Sequence, residues 1–215
     1  MDHKMLVQCR PEGRLAWHVI SQAGLRLHSP DGYDLRTVAA TASDPQAQYW
    51  LGWHPRGVLS PQETRERLSE ARVGEPSAPG DASVIELAVT VDRIDGILGG
   101  VALAINRELG GWEIGFHIAP AFRGWHIGRG ALIAATEFAH QHLGLSTVYA
   151  GVERDNEASL RAIWAAGYEI SETSYHRKLR NGRKVSGLLL RHHSSSPRWE
   201  CRSPVRYGAR TRTAK

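Results

Sequence analysis

"APAFRGWHIGRGALIAA", residues 119 to 135, decides how the rest of the chain is read. Glycines and arginines interleave ahead of an alanine-rich run, the pattern of a loop opening into a helix, and the loop follows a β-rich stretch, "WEIGFHI" (112 to 118). At such a junction the unbonded N–H groups of the first helical turn and the positive end of the helix suit an anion, a pyrophosphate above all. A dinucleotide fingerprint would need Gly-x-Gly-x-x-Gly after the first strand of a parallel α/β alternation, and a P-loop would need Gly-Lys-Ser/Thr; the sequence has neither.

Downstream, the pattern predicts a helix from Gly128 to His142 closed by Gly144, then a strand "STVYAGV" (146 to 152), so that strand, crossover helix and strand form one unit. A second helix is expected over Asn156 to Ala166 with Gly167 after its end. Two strands, 168 to 177 and 184 to 191, are expected around a loop containing Asn181-Gly182. Upstream, "VIELAVTVD" (84 to 92) and "GILGGVALAIN" (96 to 106) read as strands with a hairpin turn around Asp95-Gly96, and Leu109-Gly110-Gly111 leads into 112 to 118. Three consecutive antiparallel strands follow from that. Further forward, "LRLHSP" (25 to 30) alternates like a short strand. Asp31 to Ala42 has helical pattern, and "SPQETRERLSEA" opens with the Ser60-Pro61 signature of a helix start. The punctuated stretch 72 to 83 reads as a surface loop.

Composition bounds the function class. A chain of 215 residues suits one domain with extensions. Cys9 and Cys201 lie near opposite ends in no metal-ligand or redox spacing, which suggests a reducing, cytoplasmic setting. No segment approaches the ~18 apolar residues of a membrane span, and the first residues lack a signal-peptide core, so no membrane role is expected. The pI near 9.5 invites a nucleic-acid reading. However, Arg198, Arg202, Arg206, Arg210, Arg212 and Lys215 face only Glu200 in the last 21 residues, an excess of five that equals the +5 of the whole chain. Any nucleic-acid affinity therefore belongs to this tail, whose isolated apolar residues predict disorder.

Arg123-Gly124-Trp125-His126-Ile127-Gly128 resembles the coenzyme A signature of the GNAT acetyltransferase superfamily, Arg/Gln-x-x-Gly-x-Gly/Ala, with a histidine in place of one glycine. Asn156-Glu157-Ala158-Ser159, followed by Ala165-Ala166-Gly167-Tyr168, looks like the later element of the same superfamily at the expected separation. Ser43-Asp44-Pro45 and Tyr49-Trp50-Leu51-Gly52-Trp53 are similar to its ribosomal-protein N-terminal acetyltransferase branch (RimJ/RimL-like). The resemblance implies an α/β (α+β) GNAT fold: a mixed, mostly antiparallel sheet of about six to seven strands flanked by helices, with a splayed strand pair that binds acyl-CoA. It implies an extension at 1–23, the acetyltransferase domain at 24–193 and the basic tail at 194–215.

The implied activity is transfer of an acetyl group from acetyl-CoA, without a metal, to a primary amine that attacks the thioester directly in a ternary complex. Pyrophosphate would lie on the amides of Gly124, Trp125, His126, Ile127, Gly128 and Arg129, with Arg123 and Arg129 adding charge. Were residue 126 left-handed, histidine would cost about 1 to 2 kcal/mol relative to glycine while keeping its N–H. The thioester would lie along Phe116-His117-Ile118, where an amide stabilises the oxyanion. Asn156 would contact pantetheine, and Ser159 would protonate the leaving thiolate, because Ile163 stands where many relatives carry a tyrosine acid. Glu113 is the first choice for the base and His117 the second; both share a strand face with Gly115. Relatives with a glutamate five residues before the motif asparagine have Gly151 here.

That sparse equipment favours an amine of low pKa. Presenting a lysine amine neutral at pH 7 costs roughly 4 to 5 kcal/mol, an α-amine only about 1. The expected acceptor is an α-amine, on a protein N-terminus or a small molecule. Three alternatives stay open at this stage: a non-catalytic acyl-CoA-binding module whose tail meets RNA or ribosomes, the same fold using another acyl-CoA such as succinyl-CoA, and assembly as a homodimer.

Overall fold

The structure is a computed structural model that describes residues 4–9, 15–20, 24–30, 44–52, 84–179 and 182–194, the first two segments as backbone. The helices expected over 31–42 and from Ser60, and the tail from 195, lie outside the described residues.

One mixed sheet organises the chain. Its strands are β1 (Lys4–Cys9), β2 (Leu15–Ile20), β3 (Leu25–His28), β4 (Val84–Val91), β5 (Ile94–Asn106), β6 (Gly111–Ile118), β7 (Thr147–Glu153), β8 (Glu169–Lys178) and β9 (Lys184–His193). They lie in the order β1-β2-β3-β4-β5-β6-β7-β9-β8. The seven from β3 to β9 make the mostly antiparallel sheet that the sequence predicts, and β1 and β2, which it does not, extend it beyond β3. Among the described strands only β6 and β7 run parallel, joined by the helix α2 (Ile127–Gln141). Helix α1 (Pro45–Leu51) precedes the central sheet, and α3 (Glu157–Ala165) links β7 to β8.

The β4–β5 turn falls at Asp92-Arg93, ahead of the Asp95-Gly96 expected from sequence. Gly96 sits inside β5 at φ 92, close to a register shift between Val89 and Val91. Its left-handed backbone serves an irregularity in the strand, which a turn-seeking reading takes for the turn itself. Elsewhere the boundaries agree to within a residue or two. Gly144 (φ 67) ends α2, where the Leu145 amide bonds back to the carbonyl of Ala139 at 3.1 Å.

Period-3.6 spacing puts Ile127, Ala131, Leu132, Ala135, Phe138 and Ala139 on the buried face of α2. The alanines let the helix lie close to the sheet, where Leu98, Leu103 and Val148 are fully buried. Along β7 the buried Val148, Ala150 and Val152 face this core. Tyr149, Gly151 and Glu153 therefore point to the opposite face, as Glu113, Gly115 and His117 of β6 do opposite buried Trp112, Ile114 and Ile118. The sheet thus has a core face and a face left for chemistry.

Candidate functional site

β6 and β7 pair through Trp112↔Val148 and Glu113↔Tyr149, and no further pairing between them is formed among the described residues. β6 stays paired with β5 up to Ile118, and β7 with β9 up to Glu153, so the two strands diverge from an apex at Glu113. Into the gap opens a cavity of about 1190 Å³, larger than the usual pocket for a small ligand and suited to a coenzyme-sized one beside a second substrate. All of the site residues chosen from sequence line it except Trp125, which is 63% exposed and edge-on to Phe122.

At the mouth, α2 begins without a side-chain cap. Its N-cap, His126, has φ 60 and ψ 8, and it is the one non-glycine residue with positive φ among the described residues. The first bond of the helix runs from Gly130 N to His126 O, and the amides of residues 124 to 129 have no acceptor among the described residues. They are available to an anion. A Cβ on Gly128 would stand 3.1 Å from the Phe116 ring and 3.4 Å from Ile118, so this glycine admits β6 against the helix start as much as it opens the loop.

Arg123 is committed elsewhere. Its Nε donates to Ile118 O at 2.9 Å, NH1 to Gln46 Oε1 at 2.8 Å and to Asp44 Oδ1 at 3.2 Å, and NH2 to Asp44 Oδ2 at 2.6 Å. The arginine of the motif therefore ties the loop to β6 and to α1, and its charge is answered by Asp44. Asp44 also caps α1 by accepting from the amides of Gln46 and Ala47 at 3.1 Å. Burial pushes its carboxyl up, but the Arg123 hydrogen bond, the two amides and the guanidinium charge outweigh this and hold it below the usual carboxylate range.

On the inner wall, Asn156 caps α3: its Oδ1 accepts from Ser159 N at 3.3 Å, which leaves the Nδ2 protons for the cavity. The Ser159 hydroxyl has no partner among the described residues.

At the apex Glu113 is not a lone carboxylate. Oε1 accepts from Arg177 NH1 at 2.9 Å and from Gly151 N at 3.2 Å, and Oε2 accepts from Asn106 Nδ2 at 2.9 Å. Of roughly four lone-pair sites on a carboxylate, about one is left. The same Asn106 amide donates to the Tyr175 hydroxyl at 3.1 Å. Burial first, and then the Glu113 charge, push the Tyr175 phenol up, so it stays protonated.

A Cβ on Gly151 would lie 2.4 Å from the Tyr175 ring and 2.8 Å from Glu113 Oε1. Position 151 therefore has no room for a side chain, because the tyrosine and the glutamate fill it. Asn106, Tyr175 and Arg177 were missed from sequence. Asn106 alone carries a local signal, its Oδ1 accepting from Glu108 N and Leu109 N across the β5–β6 turn.

Residues 24–169 match the family model described as an acetyltransferase (GNAT) domain. No curated protein matches the chain by sequence. Among solved structures, the chain is similar to the ribosomal-protein-S5-alanine acetyltransferase of Vibrio fischeri, at 16% identity and TM-score 0.65, with 82% of this chain and 96% of that one covered. It is likewise similar to the spermidine N-acetyltransferase of Vibrio cholerae in complex with CoA and spermine, at 18% identity and TM-score 0.65, over 80% and 96% of the two chains. A GNAT-family acetyltransferase from Bacillus anthracis aligns at 15% identity and TM-score 0.63, over 81% and 97%. At these identities the likeness speaks for the fold.

Proposed function

The chain belongs to the GNAT acetyltransferase family, and on that premise we propose that it transfers an acetyl group from acetyl-CoA to the primary amine of an α-amino group. The observation that carries this reading is the single cavity joining the uncapped start of α2 to the strand gap whose apex is Glu113. The amides of residues 124 to 129 take the pyrophosphate, Arg129 adds charge, and Asn156 Nδ2 donates to pantetheine. The free edge of β6 over Phe116, His117 and Ile118 receives the thioester arm as an added strand would be received, and an edge amide stabilises the oxyanion.

The neutral amine attacks the thioester carbonyl carbon, the C–N bond forms, and the C–S bond breaks as the oxyanion collapses. Coenzyme A leaves as thiolate and takes a proton from the Ser159 hydroxyl, which is replenished from solvent. Glu113 holds the incoming ammonium through its remaining lone pair and accepts the proton it sheds before attack, and the second proton, lost from the nitrogen as the amide forms, leaves through water along His117 on the same strand face. The carboxylates on this face do not suit a polyamine. Glu113 is matched by Arg177, and Glu153 by Arg183 at 2.7 and 2.8 Å, so neither of these two carboxylates is left unpaired for a polycation.

Release of free thiol from acetyl-CoA, and in parallel from succinyl-CoA, over a panel of α-amines, lysine side-chain analogues and spermidine tests the proposal. Turnover with α-amines is expected, and Glu113→Gln should lower it by about 10² to 10⁴ with little change in acetyl-CoA affinity. Tight binding of acetyl-CoA with no thiol release from any amine would instead mean a non-catalytic binding module.

A further inference from the structure

The groups around Glu113 contain more than a base needs. Arg177, on β8, donates to Glu113 Oε1 through NH1, and its NH2 and Nε have no acceptor among the described residues. Its side chain is 29% exposed, lines the cavity, and meets a Glu113 that is only 15% exposed. A guanidinium carries five donors in a planar fork made for a carboxylate. Here one arm of the fork is used, and the side chain lines the cavity that the acceptor enters. Beside it, Glu113 has about one lone-pair site left. A guanidinium and a carboxylate that each keep bonding capacity are thus held side by side by their own 2.9 Å ion pair.

Among the described residues, the charges that line the cavity bear on what this spot accepts. Arg107 and Lys178 also line the cavity at this end, against Glu108, while Glu153 is already paired with Arg183. A bare cation placed on Glu113 would meet the Arg177 guanidinium with no anion of its own. A zwitterion would bring both partners at once.

The floor is small and apolar. In the β5–β6 register Ala104 stands opposite Glu113 and Ala102 opposite Gly115, so all four share one face. A Cβ built on Gly115 meets nothing within 4 Å, which leaves open volume over this floor.

We propose that the acceptor is a free α-amino acid with an apolar side chain. Glu113 takes the ammonium, the open arm of Arg177 takes the α-carboxylate, and the side chain rests on Ala102, Ala104 and Gly115. This deepens the acetyl-transfer reading and rests on it. A peptide N-terminus lacks the adjacent carboxylate, and a polyamine lacks any.

The test uses the full chain with acetyl-CoA and a matched set: methionine, leucine and phenylalanine, the amide of each, the amine left by removing the carboxyl from each, and spermidine. Thiol release should favour the free amino acid over its own amide by at least about tenfold in kcat/KM, the weight of one charge-assisted contact. In Arg177→Gln that ratio should collapse toward about one, mainly through KM for the amino acid. A residue that merely positions Glu113 would lower turnover of amino acid and amide alike, and that result overturns the proposal.

Equal or better use of the amides, the decarboxylated amines or spermidine by the wild-type protein overturns it too, without touching acetyl transfer. Failure of the underlying reading looks different, since calorimetry would then find no acetyl-CoA binding, or binding with no thiol released from any member of the set. Because the wild-type comparison decides by itself, the proposal stays falsifiable even if the arginine variant does not fold.

Discussion

Residue identity at the cofactor loop is set by backbone geometry more than by side-chain chemistry. His126 holds φ 60 with no side-chain cap bond, in a region where an L-residue pays for its Cβ. What the site needs from this position is an N–H, and glycine supplies the same one. His126→Gly is therefore expected to raise stability by about 1 kcal/mol, a Tm gain of roughly 2 to 4 °C for a domain of this size. Its greater unfolded-state freedom offsets part of that gain. Acetyl-CoA affinity by calorimetry should hold or improve, and a loss of binding would show that the imidazole touches the ligand. This strain was legible in the sequence, because the motif itself marks the position as a glycine site. The fate of Arg123 was not, since its partner Asp44 lies 79 residues away and nothing local points to it. The same holds for Tyr175, which explains Gly151 only once β8 is laid across β7 through β9.

At the scale of elements, α1 braces the cavity from two sides. Asp44 at its start grips Arg123 of the cofactor loop. At its end the carbonyl of Tyr49 accepts from Arg183 NH2 at 2.6 Å while the guanidinium lies 4.1 Å over the Tyr49 ring. Gly52, at φ 66, lets the chain pass Leu179 so closely that a Cβ would come within 2.4 Å. A seven-residue helix has little stability of its own, so these ties hold it in place. Asp44→Ala removes the cap and the Arg123 partner together. It should cost about 0.5 to 2 kcal/mol from the cap, speed amide exchange across Pro45–Leu51, and weaken acetyl-CoA binding by loosening the loop. Asp44→Asn keeps the cap and loses the ion pair. Unchanged exchange and affinity in both variants would mean that α1 and the loop are independent. The signals for this helix, Asp-Pro before it and Gly after it, were present in the sequence, yet its length lies below what periodicity detects. β6-α2-β7 was legible because a long amphipathic run between two β-rich runs admits few arrangements, whereas the edge strands β1 and β2 owe their place to pairing with β3.

For the whole molecule, two histidines join α2 to β9. His140 Nδ1 lies against the carbonyl of Leu145 and so must donate to it, which makes Nε2 the acceptor in its 2.9 Å contact with His192 Nδ1. Each ring therefore carries one proton, and a second on His140 would set two donors against each other. Among the described residues, the groups against the pair are the Leu145 carbonyl, the Tyr168 ring, the Gly167 backbone and His193. Burial, outweighing the Leu145 hydrogen bond and helped by His193, holds the His140 pKa below the ordinary histidine range, burial and then both neighbouring histidines do so for His192, and burial lowers His142 likewise. The sign follows from which state binds the proton. Below about pH 6.5 the unfolded chain protonates these rings while the folded one resists, so acid favours unfolding. Stability is complete above that pH and declines as pH falls toward the folded values. Urea midpoints measured from pH 8 to 5 should be flat at first and then drop below about 6.5. His192→Gln, which removes one titrating partner and relieves the other, should shallow that drop even if it lowers the plateau. Parallel curves for the two proteins would place the acid sensitivity outside this histidine pair.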